Sequence, residues 1–191
     1  DDNEELQFSV NVMSYIRLMN GLLPLLIKSG QDKQRRIDIK QLSNYGDCAK
    51  IVNVASQYTT SLSTDPGKYF NLSPNMKHNY DSNEQYKKTK AADRMLTYKA
   101  SQIFIEKGYN IGIYSCHPGV TTSNVLSGLG FGSGWDSAIK CAKTPLYCAT
   151  NNNVGLKQSG KFFKDSKPTD CQYCRDKKKV QIIWDYCQSL L

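Results

Sequence analysis

No stretch of this 191-residue chain stays apolar for the roughly twenty residues of a membrane-spanning helix, so residue by residue the sequence nominates no span. Histidine is nearly absent, with two copies, His78 and His117, and neither has a sequence neighbour that would complete a nucleophile–base triad. Metal-ligand spacing is equally thin. Cys171-x-x-Cys174 is half of a zinc knuckle, but Cys141 and Cys148 are too far apart to be the other half, so no metal is expected. Seven cysteines, an odd count without regular pairing distances, are expected as reduced thiols in a cytoplasmic protein. Acidic residues are the scarcer charge, 17 against 25 basic, for a net charge of +8 and a pI near 9.1. That balance admits phosphate-bearing partners. The densest basic run, Arg175 to Lys179, is short enough to read as a solvated face, and nucleic acid is not expected. The opening DDNEE has the character of neither a signal nor a transit peptide.

What is present is enough apolar residue, 39%, for one globular domain over residues 1–191. Phe8, Val12, Ile16, Met19, Leu22, Leu23 and Leu26 recur at helical spacing, predicting a helix over 3–28 that Pro24 should kink or end. Residues 30–49 read as a polar loop or short extra helix, and AKIVNVAS, 49–56, as a buried parallel strand. Pro66-Gly67 and Ser73-Pro74 mark turns in a long irregular connection. Ser82 followed by Gln85 has the form of a capping box opening a helix to Lys107, which Gly108 is placed to terminate. YNIGIYSCHPG is a second strand. SGLGFGSGW is a glycine-rich loop that fits no G-x-G-x-x-G pattern and is expected to be mobile on the substrate side. A helix over 136–150, a short strand at 160–163 and a helix over 177–190 complete the reading. Alternation of this kind predicts a parallel sheet with helices on its faces.

Tyr86 and Lys90 are four apart on the predicted central helix and share a face. A cation beside a phenol favours the phenolate, so such a pair can make a proton donor or acceptor usable near neutral pH. Chance supplies about one Tyr-x-x-x-Lys in a chain with twelve tyrosines and this much lysine, and Tyr173 with Lys177 is a second. Topology separates them. Ligands of parallel α/β sheets bind beyond the carboxyl ends of the strands. Ser56 follows the first strand, Pro118-Gly119 follow the second, and Tyr86 and Lys90 open the helix between them. Tyr173 and Lys177 lie in a polar tail with no strand feeding them. Lys87 and Lys88 are expected to be solvated.

Taken in order, ELQFSVNVMSYIRLMNGLLPLL, KIVNVASQ, YKKTKAADRML, YNIGIYSCHPGVTTSNV and SGKFF resemble the C-terminal two thirds of a short-chain dehydrogenase/reductase, of the retinol-dehydrogenase-like and WW-domain-oxidoreductase-like branch. The resemblance implies a Rossmann-type, doubly wound parallel sheet of which this chain is the C-terminal part. It implies an NAD(P)-dependent oxidoreductase acting on a small, lipophilic carbonyl or alcohol, with NADP favoured over NAD, and leaves a homodimer and membrane association open. By that resemblance Asn11 supports a water in the proton relay and Ser56 hydrogen-bonds the substrate oxygen. Tyr86 is the general acid/base, and Lys90 holds the nicotinamide ribose and tunes the tyrosine. Pro118, Gly119 and Val120 lie along the nicotinamide, and Ser123 stands where a carboxamide- or phosphate-contacting threonine is usual. The chain departs from the family in lacking the glycine-rich fingerprint, the cofactor selector and the Asn-Asn-Ala-Gly segment, so the nucleotide-binding half is expected to lie outside it. The interval from Ser56 to Tyr86 is also longer than usual. Two alternatives stay open: a sugar-nucleotide epimerase or dehydratase using the same pair, and a non-catalytic protein that keeps the fold as an interaction surface.

Overall fold

The computed structural model describes residues 4–32, 48–70 and 79–191. The expected loop or helix over 30–49 falls largely outside them, and the Ser73-Pro74 turn and His78 fall outside them altogether.

The first helix, α1, spans Leu6–Gln31. Glu5 caps it, its carboxylate accepting from the backbone N–H of Gln7 at 2.9 Å and of Phe8 at 2.8 Å. Phe8, Val12, Met13, Ile16 and Met19 are buried along one face, each fully buried side chain contributing about 1.5–3 kcal/mol before entropy is set against it. Phe8 stacks on Phe70 with ring centroids 4.1 Å apart. Of the two outcomes expected at Pro24, ending the helix does not occur, because the helix runs through it to Gln31. Pro24 is exposed and so is Asn20, whose carbonyl loses its helical partner to water at little cost. The irregularity lies upstream, where Ser9–Met13 form a π turn. There the Ser14 N–H reaches Ser9 O, and the Ser14 hydroxyl donates to Val10 O at 2.5 Å. The outer face carries exposed Leu6, Val10, Leu18, Leu22 and Leu25. By length and composition this helix could cross a membrane, with mean hydropathy 1.4 over its best window, which corrects the reading that no segment qualifies. In this fold its other face is core.

Strand β1, Ala49–Val54, pairs in parallel with β2, Ile111–His117, which pairs in parallel with β3, Phe162–Lys164. Ile111 and Ile113 of β2 enter the larger core with α1, while Tyr114 and Cys116 enter a second cluster with Cys148 and Phe163. With both faces covered, β2 is buried at all seven positions, as a central parallel strand should be. Between β1 and β2 run a single-turn helix α2, Gly67–Phe70, and the long helix α3, Ser82–Glu106. The Ser82/Gln85 capping box is not formed. Asp81 caps α3 instead, accepting from Asn83 and Glu84 N–H, while the Gln85 amide donates to Glu5 Oε2 and Tyr69 O, both at 2.8 Å. Gly108, at φ +67°, ends α3 as expected.

Beyond β2 come a short α4, Asn124–Gly128, which takes the start of the glycine-rich stretch, and α5, Ala138–Thr150, across the second face of the sheet. A fourth strand, β4, Lys167–Thr169, was not anticipated. It runs antiparallel to β3 through a two-residue turn in which Asp165 and Ser166 both have positive φ, 51° and 59°. The last helix, α6, Lys177–Gln188, buries Val180, Ile183 and Cys187 against the α1 and α3 side. The whole is an α/β sandwich on a mostly parallel four-stranded sheet of Rossmann type. The all-thiol expectation is corrected at one place. Cys171 and Cys174 are disulfide-bonded, because a short 3-10 turn over Gln172–Arg175 brings them together, and the other five cysteines are in no disulfide. The basic run near them is largely exposed, as expected, with Arg175 paired to Asp170 and Lys177 at the Tyr98 hydroxyl.

Candidate active site at the carboxyl edge of the sheet

Val54 of β1 and Cys116 of β2 are register partners, so the chain leaves both strands at the same level, through Ser56 and through Pro118. The first turns of α3 arrive at this edge with Tyr86 and, one turn on, Lys90. Two cavities open there. One, of about 490 Å³, is lined by Ser56, Tyr58, Tyr86, His117 and the Pro118–Val120 turn, with Ser123 at its margin. The other, of about 560 Å³, is lined by Asn11, Tyr15, Val54, Tyr86, Lys90 and Pro118. Tyr86 and Pro118 stand between them. The eight residues singled out in the sequence therefore gather on one edge, and Tyr173 with Lys177 do not. The Tyr173 hydroxyl accepts from the Thr59 hydroxyl at 3.0 Å, and Lys177 is occupied by Tyr98 and by Cys174 O.

Lys90 is 7% exposed, and its ammonium donates to Val54 O at 3.0 Å and to Asp93 Oδ2 at 3.1 Å. It lies 5.9 Å from the Tyr86 ring centroid and 5.6 Å from that of Tyr15. Burial works against its charge, but Asp93, Tyr15 and Tyr86 outweigh burial and hold its pKa above the ordinary lysine value. Asp93 is wholly inside the protein, and burial lifts its carboxyl to about 6 in spite of Lys90. Its Oδ1 has no hydrogen-bond partner among the described residues. Burial likewise raises the Tyr15 phenol, with Lys90 opposing.

Asn11 sits within the π turn and donates to Thr89 Oγ1 at 3.1 Å, and the Thr89 hydroxyl donates to Tyr86 O at 2.8 Å. The widened turn is thus fastened to the turn that carries Tyr86. Ser56 is buried, and its Oγ accepts from Tyr58 N–H at 3.0 Å, which leaves its own proton to donate towards the cavity. Val120 is held at both ends by Asp136: its N–H donates to the carboxylate at 3.0 Å, and its carbonyl accepts the Asp136 N–H at 2.9 Å. An ion pair with Lys140, then the Val120 N–H, hold the Asp136 carboxyl below the usual range. Gly119, at φ +122°, has no room for a side chain, since a Cβ would stand 2.9 Å from both Asp136 Oδ2 and Cys141 Sγ. Ser123 spends its hydroxyl oxygen on the cap of α4, accepting from Leu126 N–H at 3.3 Å. His117 lines the first cavity with a buried Nδ1 that has no partner among the described residues, and burial, then Lys164, lowers its pKa.

Four residues of this edge escaped the sequence reading. Asp93 and Tyr15 had a usable signal, being three residues after Lys90 and four after Asn11 on helices already predicted. Tyr58, 6.5 Å from the Tyr86 ring and edge-on to Phe131 at 5.9 Å, and Asp136 come from irregular segments with no pattern to announce them. Lys87 and Lys88 are not simply solvated, since Lys87 pairs with Glu84 and lies over Tyr58, and Lys88 lies over Tyr69.

A parallel α/β edge with tyrosine, lysine, serine and asparagine gathered on it defines an α/β protein of Rossmann type. Its relatives are short-chain dehydrogenases. The chain is 27% identical over 201 aligned residues to the Short-chain dehydrogenase TIC 32 A, chloroplastic, of Brassica napus, and 26% identical over 202 to TIC 32 B of the same plant. All of this chain is covered in both, but only 58% of each relative, so the chain spans a little over half their length. Among solved structures, an uncharacterized protein from Mycobacterium paratuberculosis superposes with TM-score 0.64 at 16% identity, over 99% of this chain and 59% of the other. The carbonyl reductase Sniffer of D. melanogaster superposes with TM-score 0.51 at 21% identity, over 81% of this chain and 51% of the other. No family model matches the chain.

Proposed function

We propose that this chain is the catalytic part of an NAD(P)-dependent oxidoreductase that interconverts a carbonyl and an alcohol, with Tyr86 as the proton-transfer residue. One observation carries the reading: Tyr86 stands between two cavities, with Ser56 beside it on one and Lys90 and Asn11 on the other. The residues present fit the nicotinamide end of such a cofactor. Lys90 is a buried cation opening on the second cavity, and Pro118 lines that same cavity at the exit of a strand. A glycine-rich strand–helix turn for the pyrophosphate has no counterpart among the described residues.

When bound, the cofactor supplies the hydride, and the protein is left to move a proton at oxygen. Tyr86 is placed to give or take that proton. Ser56 is placed to hydrogen-bond the same oxygen, where charge develops. Lys90 holds a positive charge 5.9 Å from the Tyr86 ring centroid, and Asn11 fixes the turn that carries Tyr86 through Thr89. The aromatic walls given by Tyr58 and Phe131 favour an apolar substrate. NADP and lipophilic carbonyls are the preferred cofactor and substrate class.

The test is reduction of a small aromatic aldehyde, 4-nitrobenzaldehyde, by NADPH or NADH with the full-length protein. Tyr86→Phe should lower turnover by about 10²–10⁴-fold while cofactor binding, read by fluorescence, survives. Turnover unchanged by Tyr86→Phe would sink the assignment.

A further inference from the structure

Tyr86, Lys90 and Asp93 follow one another at i, i+4 and i+7 and so form a row along one face of α3. The ammonium in the middle lies 5.9 Å from the Tyr86 ring centroid on one side and is bonded to the Asp93 carboxylate on the other. Lys90 and Tyr86 line a cavity, whereas Asp93 is 2% exposed and lines neither of the two. Nothing at the reacting end can touch it. One carboxylate oxygen is bonded to Lys90, and the other is buried without a partner among the described residues, an arrangement that core packing alone does not call for.

We infer that Asp93 is a positioning residue that acts through Lys90: it anchors the ammonium behind Tyr86 and offsets part of the positive charge that Lys90 presents to the phenol. This rests on the proton-transfer reading of Tyr86. The physical content is electrostatic. An ionised Asp93 makes the Lys90 pair nearly neutral as seen from Tyr86, and a neutral group in its place leaves the lysine's charge unopposed. The other titratable groups facing the pair do not substitute for it. Tyr15 from α1 has a phenol raised by burial, while Cys116 from β2 and Cys187 from α6 are each pushed by burial to about 12. All three are neutral where Asp93 titrates. Asp93 is therefore the adjustable charge of the row. Since burial lifts its carboxyl to about 6, the adjustment falls near physiological pH.

The experiment compares wild type, Asp93→Asn and Tyr86→Phe in the full-length protein, with NADPH and 4-nitrobenzaldehyde as probes. Asparagine has the same shape and can still accept from Lys90, so a purely structural role would leave the pH profile where it is. The inference expects the alkaline limb of kcat/KM for aldehyde reduction, where phenol is lost to phenolate, to move about one pH unit toward acid in Asp93→Asn. A superimposable profile overturns it. A second readout needs neither turnover nor a folded variant. In wild type, the Lys90 ε-ammonium resonance should shift with a midpoint near 6 and in step with the Asp93 carboxyl carbon. A Lys90 signal that is flat through that titration also overturns the inference. Tyr86→Phe keeps the two ideas apart. If that variant keeps its turnover, the function proposed for Tyr86 is wrong, while the resonances still decide whether Asp93 governs Lys90.

Discussion

Tyr15 and Lys90 meet at a single acceptor: the phenol donates to Val54 O at 3.2 Å and the ammonium to the same oxygen at 3.0 Å. The last residue of β1 is thereby tied to α1 and to α3 at once. Tyr15→Phe removes one of the two ties and leaves the ring in place. Urea denaturation should show a loss of about 1 kcal/mol, the usual worth of one such bond. An unchanged midpoint would mean that Lys90 alone holds the strand end.

Gly119→Ala should be worse than its size implies. The backbone there is left-handed, and the new methyl would press on Asp136 and Cys141, the first of which holds Val120. Strain of this kind costs about 1–3 kcal/mol. A matching fall in thermal midpoint, with weaker aldehyde reduction, is the expected outcome, and a neutral substitution would refute the tightness of this turn.

Asp93 also writes a pH signature into stability. Its carboxyl titrates at about 6 in the folded chain against 3.8 when unperturbed. Between those values the folded state holds a proton that the unfolded state has released, so stability falls as pH rises through the window. Urea titrations of wild type and Asp93→Asn, taken as a difference to cancel the other carboxylates, should slope downward from pH 4 to 6 and level off above. A flat difference would show that the carboxyl is not displaced.

The Cys171–Cys174 bond closes a short loop, for which chain entropy gives about 2 kcal/mol. Thiol titration in denaturant should find five thiols without reductant and seven with it. Finding seven in both conditions would remove the bond. Reduction should also loosen Tyr173 from Thr59, and with it the segment that follows Ser56.

The parts of this fold that were legible in sequence are those whose burial is periodic. Phe8, Val12, Ile16 and Met19 announce α1, the unbroken apolar run of β2 announces a strand covered on both faces, and Gly108 announces the end of α3. What was hidden depended on partners far along the chain. The capping box at Ser82 and Gln85 was sound as local chemistry. It lost to Glu5, eighty residues away, which takes the Gln85 amide, and to Asp81, which serves the helix end instead. Strand β4 reads Lys-Pro-Thr, exposed and polar, and its turn uses Asp165 and Ser166 where glycine or asparagine would have signalled a hairpin. The row from Tyr86 to Lys90 could be read from spacing. Its extension to Asp93 had the right spacing, but the burial of that carboxylate was not visible, because the surrounding elements supply it.

The π turn at Ser9–Met13 is one residue of slack in an otherwise regular helix, and it makes α1 a joint between two independent phases. A single-codon deletion inside it would restore ordinary winding. Downstream, Ile16 and Met19 would stay seated. Upstream, the helix would turn by about 100°, carrying Phe8 off Phe70 and the asparagine off Thr89. A lineage bearing this helix can therefore retire one corner of the candidate site through a change of length, with every residue of that corner still spelled correctly in its gene.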